Sequence, residues 1–179
     1  MKKDIDLSEA ILDCWKTTHQ VSMHLVGMID QVMWKQKVPG YPRKTIGSLV
    51  VHLHNVRCAW INDIGKARAG KRLKRLESRK ATRREVRIAM NRSSSAMLEL
   101  LARCIENGGR LPARPAWLNF PDDIVSLLAY FVAHEAHHRG QIIMAARQLG
   151  RPFERTEAGG LWQWSKRHSK SLKSVSRGK

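Results

Sequence analysis

Three of the eight histidines fall within the five residues of the run H-E-A-H-H, positions 134–138. Successive side chains on a helix are about 100° apart, so His134 and His138 share one face a turn apart, while His137 points roughly 100° away from His138. On a helical wheel His134 and His138 also fall with Ile124, Leu127, Phe131, Ile142, Ala145 and Leu149. Two imidazoles aimed into an apolar stripe are costly unless each finds a partner, and a shared divalent metal supplies one while holding both rings neutral. The plainer alternative is a pair of core histidines satisfied by hydrogen bonds. A third ligand is available on an earlier helix, where His52 and His54 cannot both face inward because two residues turn a helix by about 200°. The wheel favours His52, the nearer of the two to the stripe of Leu49, Leu53, Val56 and Trp60, and leaves His54 as the alternative. His19, His24 and His168 show no paired spacing and read as structural or surface residues.

A site of His52, His134 and His138 leaves coordination positions open, as catalytic sites do. Zinc or nickel suits three imidazoles, and iron or manganese is also compatible. Such a site lowers the pKa of a water or thiol and so makes a nucleophile available near neutral pH. Within the same run Glu135 is expected to form a helix-surface pair with Arg139 or to orient a neighbouring ring. Arg139 and Gln141 read as packing residues or supports for the ligands, and Gly140 as a point of close helix contact. A second reading takes H-E-A-H-H as the H-E-x-x-H zinc-protease signature, with Glu135 as general base. The only carboxylates downstream that could complete that site, Glu154 and Glu157, follow closely on the expected helix stop.

The elements that must carry these residues are nearly all helical. Residues 6 to about 35 place Ile11, Leu12, Trp15, Leu25, Met28, Ile29 and Val32 near one face behind Asp6 as N-cap, up to the turn-forming V-P-G-Y-P. Ile46, Leu49, Leu53, Val56, Trp60 and Ile64 define a second helix from about Thr45 to Ile64. Thr82 and Glu85 form a T-x-x-E capping box that opens a third, ending at Gly108-Gly109. The fourth follows Pro121, placed in its first turn, and stops at Gly150 after Leu149. G-G-L-W-Q-W adds a short docking element. The expected fold is an all-α, up-down-up-down four-helix bundle over residues 1–165, with a basic, Ser-rich tail over 166–179.

With 33 Lys and Arg against 15 Asp and Glu, the 179-residue chain carries a formal charge of +18. Much of it lies between Lys66 and Arg92. A field of that size attracts polyanions, so a third reading is a nucleic-acid-associated protein whose metal site is structural or vestigial. The three cysteines, Cys14, Cys58 and Cys104, are odd in number and widely spaced, which fits buried free thiols and neither a disulfide framework nor a zinc knuckle. No apolar run reaches the roughly 20 residues of a membrane span, and M-K-K-D-I-D-L lacks a secretory apolar stretch; a cytoplasmic protein with no membrane partner is expected.

L-V-V-H-L-H-N-V-R-C-A-W, Y-F-V-A-H-E-A-H-H-R-G-Q-I with its closing L-G, and the trailing G-L-W-Q-W together resemble the DinB/YfiT-like family of candidate metalloenzymes, over most of residues 5 to 165. The resemblance implies a four-helix bundle, often a homodimer, with three metal-binding side chains at one end. Carried over by position, the ligands fall on His52, His134 and His138. It further implies a small-molecule substrate and metal-assisted chemistry of the thiol S-transferase or isomerase kind, with a low-molecular-weight thiol as cofactor. The extreme basic charge and the tail beyond about residue 166 lie outside the pattern.

Overall fold

The computed structural model describes residues 4–65, 72–113 and 119–169. Each long helix begins where a side chain accepts the backbone N–H groups of its first turn, which have no partner inside the helix. Asp6 caps α1 (Leu7–Met28) by accepting from the N–H of Ser8 and Glu9. The expected single helix to residue 35 ends early, because Asp30 accepts from Met33 N–H and starts a separate short helix, α2 (Gln31–Lys35). Thr45 and Ser48 form a capping box for α3 (Ile46–Ile64), and Thr82 and Glu85 the anticipated one for α4 (Arg83–Glu106). α5 (Ile124–Gln148) is capped by Asp123, so Pro121 precedes the helix rather than occupying its first turn. Gly150, at φ 69°, ends it in a left-handed conformation that suits glycine.

A hairpin not anticipated from the sequence lies between α2 and α3. β1 (Lys37–Val38) pairs antiparallel with β2 (Tyr41–Thr45), joined by Pro39 and Gly40. Proline in the first central position and a glycine at φ 71° in the second are the marks of a type II turn. The strands are too short for alternation to reveal them. After α5 come α6 (Arg155–Gly159), a 3-10 turn (Gly160–Trp162) and helical turns over residues 164–169. This element docks on α1: Leu161 is buried, His24 Nε2 donates to the Glu157 carbonyl (2.9 Å), and buried Arg167 donates to the Gly160 carbonyl. The helical turns cover the first four residues of the expected tail, and positions 170–179 lie outside the described residues.

The long helices form the expected all-α bundle with a different order of directions. Leu25, Ile46, Val50, Met90 and Ile142 share one apolar cluster, whereas Trp15, Trp60, Leu101, Leu127 and Phe131 share the other. α1 and α5 therefore run one way along the bundle, and α3 and α4 the other. The chain is up-down-down-up rather than up-down-up-down, because the segment before α4 returns along α3. Asn62 holds Leu73 through both its backbone groups (2.9 and 2.8 Å), and Asn55 holds Leu76 in the same way (2.9 and 2.8 Å). α4 thus starts at the same end as α3, and residues 66–71 of this basic connection lie outside the described residues. Among the described residues no helix is long and apolar enough to cross a membrane. Cys58 and Cys104 are buried and Cys14 partly so; all three are free thiols, and burial pushes Cys58 and Cys104 up to about 11.

Candidate metal centre

Between the two apolar clusters lies a layer of buried polar side chains, and it sets the rotation of α5. Arg57 of α3 is fully buried; its Nε donates to Glu135 Oε1 (2.7 Å) and its Nη2 ion-pairs with the same oxygen. Ser22 Oγ donates to Glu135 Oε2, and Arg139 Nη1 donates to Ser22 Oγ (2.9 Å) while standing 3.8 Å from the carboxylate. Arg57 Nη1 also donates to the Met90 carbonyl (3.1 Å) and to His19 Nδ1 (3.3 Å). With Nδ1 accepting, His19 Nε2–H is left to donate to Asn91 Oδ1 (3.0 Å).

This layer corrects three expectations. Glu135 and Arg139 form no helix-surface pair; both are buried, and with Phe131 and Ile142 they mark the inward face of α5. His134 and His138 consequently sit at the edge of that face, half-buried, and not inside the apolar stripe. Nor can Glu135 serve as the general base of an H-E-x-x-H protease, since both its oxygens are committed to Arg57 and Ser22 on the side of the bundle core. Gly140 is exposed, and a Cβ there would meet nothing within 4 Å, so it mediates no close helix contact.

On the flank between α3 and α5 the sequence candidates come together. His52, His134 and His138 each offer a ring nitrogen, all within 4.8 Å of one another. His134 Nε2 and His138 Nε2 are 3.2 Å apart. The three lie part-way along their helices, not at one end of the bundle. His54 is excluded from the group: its ring is buried, in hydrogen-bonding contact with Ser93 Oγ (3.1 Å) and the Lys74 carbonyl (3.1 Å). His137 is exposed with its ring beside His138 and is not among the three. The chain belongs to the DinB family. The family model matches residues 1–169, which contain all three histidines. No curated protein and no solved structure matches this DinB-family chain.

The donor set fits a divalent metal. Two nitrogens roughly 2.05 Å from zinc at the tetrahedral angle stand about 3.3 Å apart, close to the separation of the two Nε2 atoms. Gln141 Oε1 lies 2.7 Å from His138 Nδ1 and, being a carbonyl oxygen, accepts its proton; His138 then presents the Nε2 lone pair to the centre of the group. Tyr130 stacks on His134, with centroids 5.7 Å apart and planes 19° from parallel. Burial first, and then the neighbouring His138 and His52, push His134 down to about 4. Burial, His138 and Lys44 also lower His52; burial lowers His138, against an opposing pull from the Gln141 bond. All three rings are thus neutral at pH 7, the form in which imidazole ligates.

Gln141 was read in the sequence as packing or support, and the geometry makes it the residue that orients His138. Gln141→Leu is expected to weaken zinc binding by about tenfold or more, the usual effect of losing a ligand's hydrogen-bond partner, with little change in the unfolding midpoint. Competition with a chromophoric chelator reads the affinity. Arg57 and Tyr130 were missed. Arg57 was legible in principle, since it continues the inward spacing of Leu53, Trp60 and Ile64 on α3.

His19 carries a separate pH dependence. Burial, followed by the Arg57 charge, pushes it down from 6.5 to about 4. Between those values the unfolded chain binds a proton that the folded chain refuses, so stability is intact above about pH 6.5 and falls as the pH drops toward 4. At about 1.4 kcal/mol per unit, the loss from this group is about 3 kcal/mol. Urea midpoints at pH 7 and pH 4.5 should differ less in His19→Gln than in the unaltered chain.

Proposed function

We propose that this DinB-family chain is a metal-dependent enzyme acting on a small molecule, with His52, His134 and His138 as the ligands of one divalent ion, zinc or nickel before iron or manganese. The observation that carries this is the convergence of three imidazoles from two helices, with two Nε2 atoms at the separation a tetrahedral ion requires. A metal held by three protein ligands retains an open position, where it acts as a Lewis acid and lowers the pKa of a water or thiol.

The protein's own residues supply the rest. Gln141 and Tyr130 hold two of the rings in place, and the Arg57–Glu135 pair locks α3 to α5 at the level of the site. His52 and His138 face an open cleft, so a substrate has access to the site from the hairpin side. Transfer to or from the sulfur of a low-molecular-weight thiol is the reaction class we favour, with hydrolysis as the alternative. Untagged protein should contain close to one divalent metal per chain by elemental analysis, and a screen of thiols against electrophilic acceptors should find a turnover that chelation stops. Absence of stoichiometric metal after incubation with each of the four ions would sink the proposal.

A further inference from the structure

The cleft onto which His52 and His138 open has a volume of about 670 Å³, in the range that holds small organic ligands. The hairpin forms one wall through Val38, Pro39, Gly40 and Tyr41, and α3 and α5 contribute Leu49, Met144 and Ala145. Most of this lining is apolar. Its polar members are Gln141, Gln148, the two histidines and Lys44, which is the one full positive charge among them. Among the described residues no carboxylate lines the cleft. Lys44 is partly buried at the end of β2, and no acidic side chain among the described residues pairs with it. Lys80, by contrast, pairs with Glu77 while fully on the surface.

An ammonium group partly removed from water and without a counter-ion is stabilised by an anionic ligand. We propose that the cleft binds a small organic carboxylate with an apolar body, its carboxylate on Lys44 and its reacting end toward His52 and His138. This rests on the metal-site reading for which end reacts, but the Lys44 contact needs no metal. The apolar walls take the body, and Gln141 and Gln148 offer amide donors near the rim.

The test uses the full chain in two arms. In the first, cobalt-loaded protein is titrated with 3-mercaptopropionate and with the neutral 3-mercaptopropanol, and sulfur-to-cobalt absorption is followed. The acid should bind at least about tenfold more tightly, Lys44→Met should bring the two within about twofold, and Lys44→Arg should keep the preference. In the second, calorimetry compares benzoate with benzyl alcohol on metal-free protein and on the same variants. Equal binding of acid and alcohol by the unaltered chain, or a preference that survives Lys44→Met, overturns the Lys44 assignment. Failure to bind cobalt, with the benzoate preference intact and lost in Lys44→Met, overturns the metal reading and leaves this one standing.

Discussion

Glu135→Ala should unfold the chain or lower its stability by about 3–5 kcal/mol, a large part of the roughly 5–15 kcal/mol that holds a domain together. The side chain is 1% exposed and, among the described residues, is the one carboxylate facing two buried guanidinium groups. Removing it leaves Arg57, which is 0% exposed, with a buried charge and no counter-ion, and leaves Ser22 without its acceptor. The loss comes from the uncompensated partner more than from the pair itself, because taking both ions out of water already costs much of their attraction. Two further consequences separate this account from a catalytic role for Glu135. Glu135→Gln should be destabilising as well, since a neutral amide cannot balance Arg57. The double change Glu135→Gln with Arg57→Met should recover part of the loss by removing the stranded charge. Urea unfolding of the single and double variants measures both. A Glu135→Gln variant as stable as the unaltered chain would contradict the buried network.

His134→Ala and His138→Ala should each weaken metal binding by more than about a hundredfold. Losing a hydrogen-bond partner of a ligand costs 10–100-fold, and losing the ligand itself should cost more. His52→Ala should do the same, whereas His54→Gln and His137→Ala should leave affinity within a few-fold. In metal-free protein the ring, pushed down to about 4, lowers stability only below about pH 6.5, where the unfolded chain binds a proton that the folded chain refuses, so His134→Ala should flatten the acid limb of the metal-free stability curve. Calorimetric titration with zinc and unfolding in chelator separate the two effects. The rings' low basicity has a further consequence. His134 is pushed down to about 4 and burial also lowers His52 and His138, so protons compete for the three rings less than for ordinary imidazoles, and metal should be retained on acidification past the point at which an ordinary histidine site releases it.

Helical spacing was enough to bring His134 and His138 together and to prefer His52 over His54, since those relations depend only on a period of 3.6. The capping residues Asp6, Thr82 and Glu85 were legible for a similar reason: each acts within one turn of its own position. What escaped depends on partners distant in the chain. The aliphatic residues of α5 alone define an apolar face that takes in His134 and His138, and nothing local in H-E-A-H-H-R-G-Q shows that Glu135 and Arg139 turn inward. That orientation requires Arg57, 78 residues away in the chain, and Ser22 on α1. Helix direction was lost in the same way. The length of the connection between α3 and α4 was visible, but Asn55 and Asn62 look like ordinary helix-surface residues until Leu73 and Leu76 are placed against them. Lys44 was one cation among 33 Lys and Arg, and only the hairpin brings it into the same cleft as His52 and His138.

X-ray absorption at the edge of the bound metal tests the central claim most directly, because it reads the ligand set and not only the affinity. Zinc-loaded, untagged protein should show three imidazole nitrogens at about 2.0–2.1 Å and a remaining oxygen, with one imidazole lost in His52→Ala. A sulfur shell at about 2.3 Å, a shell of oxygens alone, or three imidazoles persisting in the His52→Ala protein would contradict the assignment.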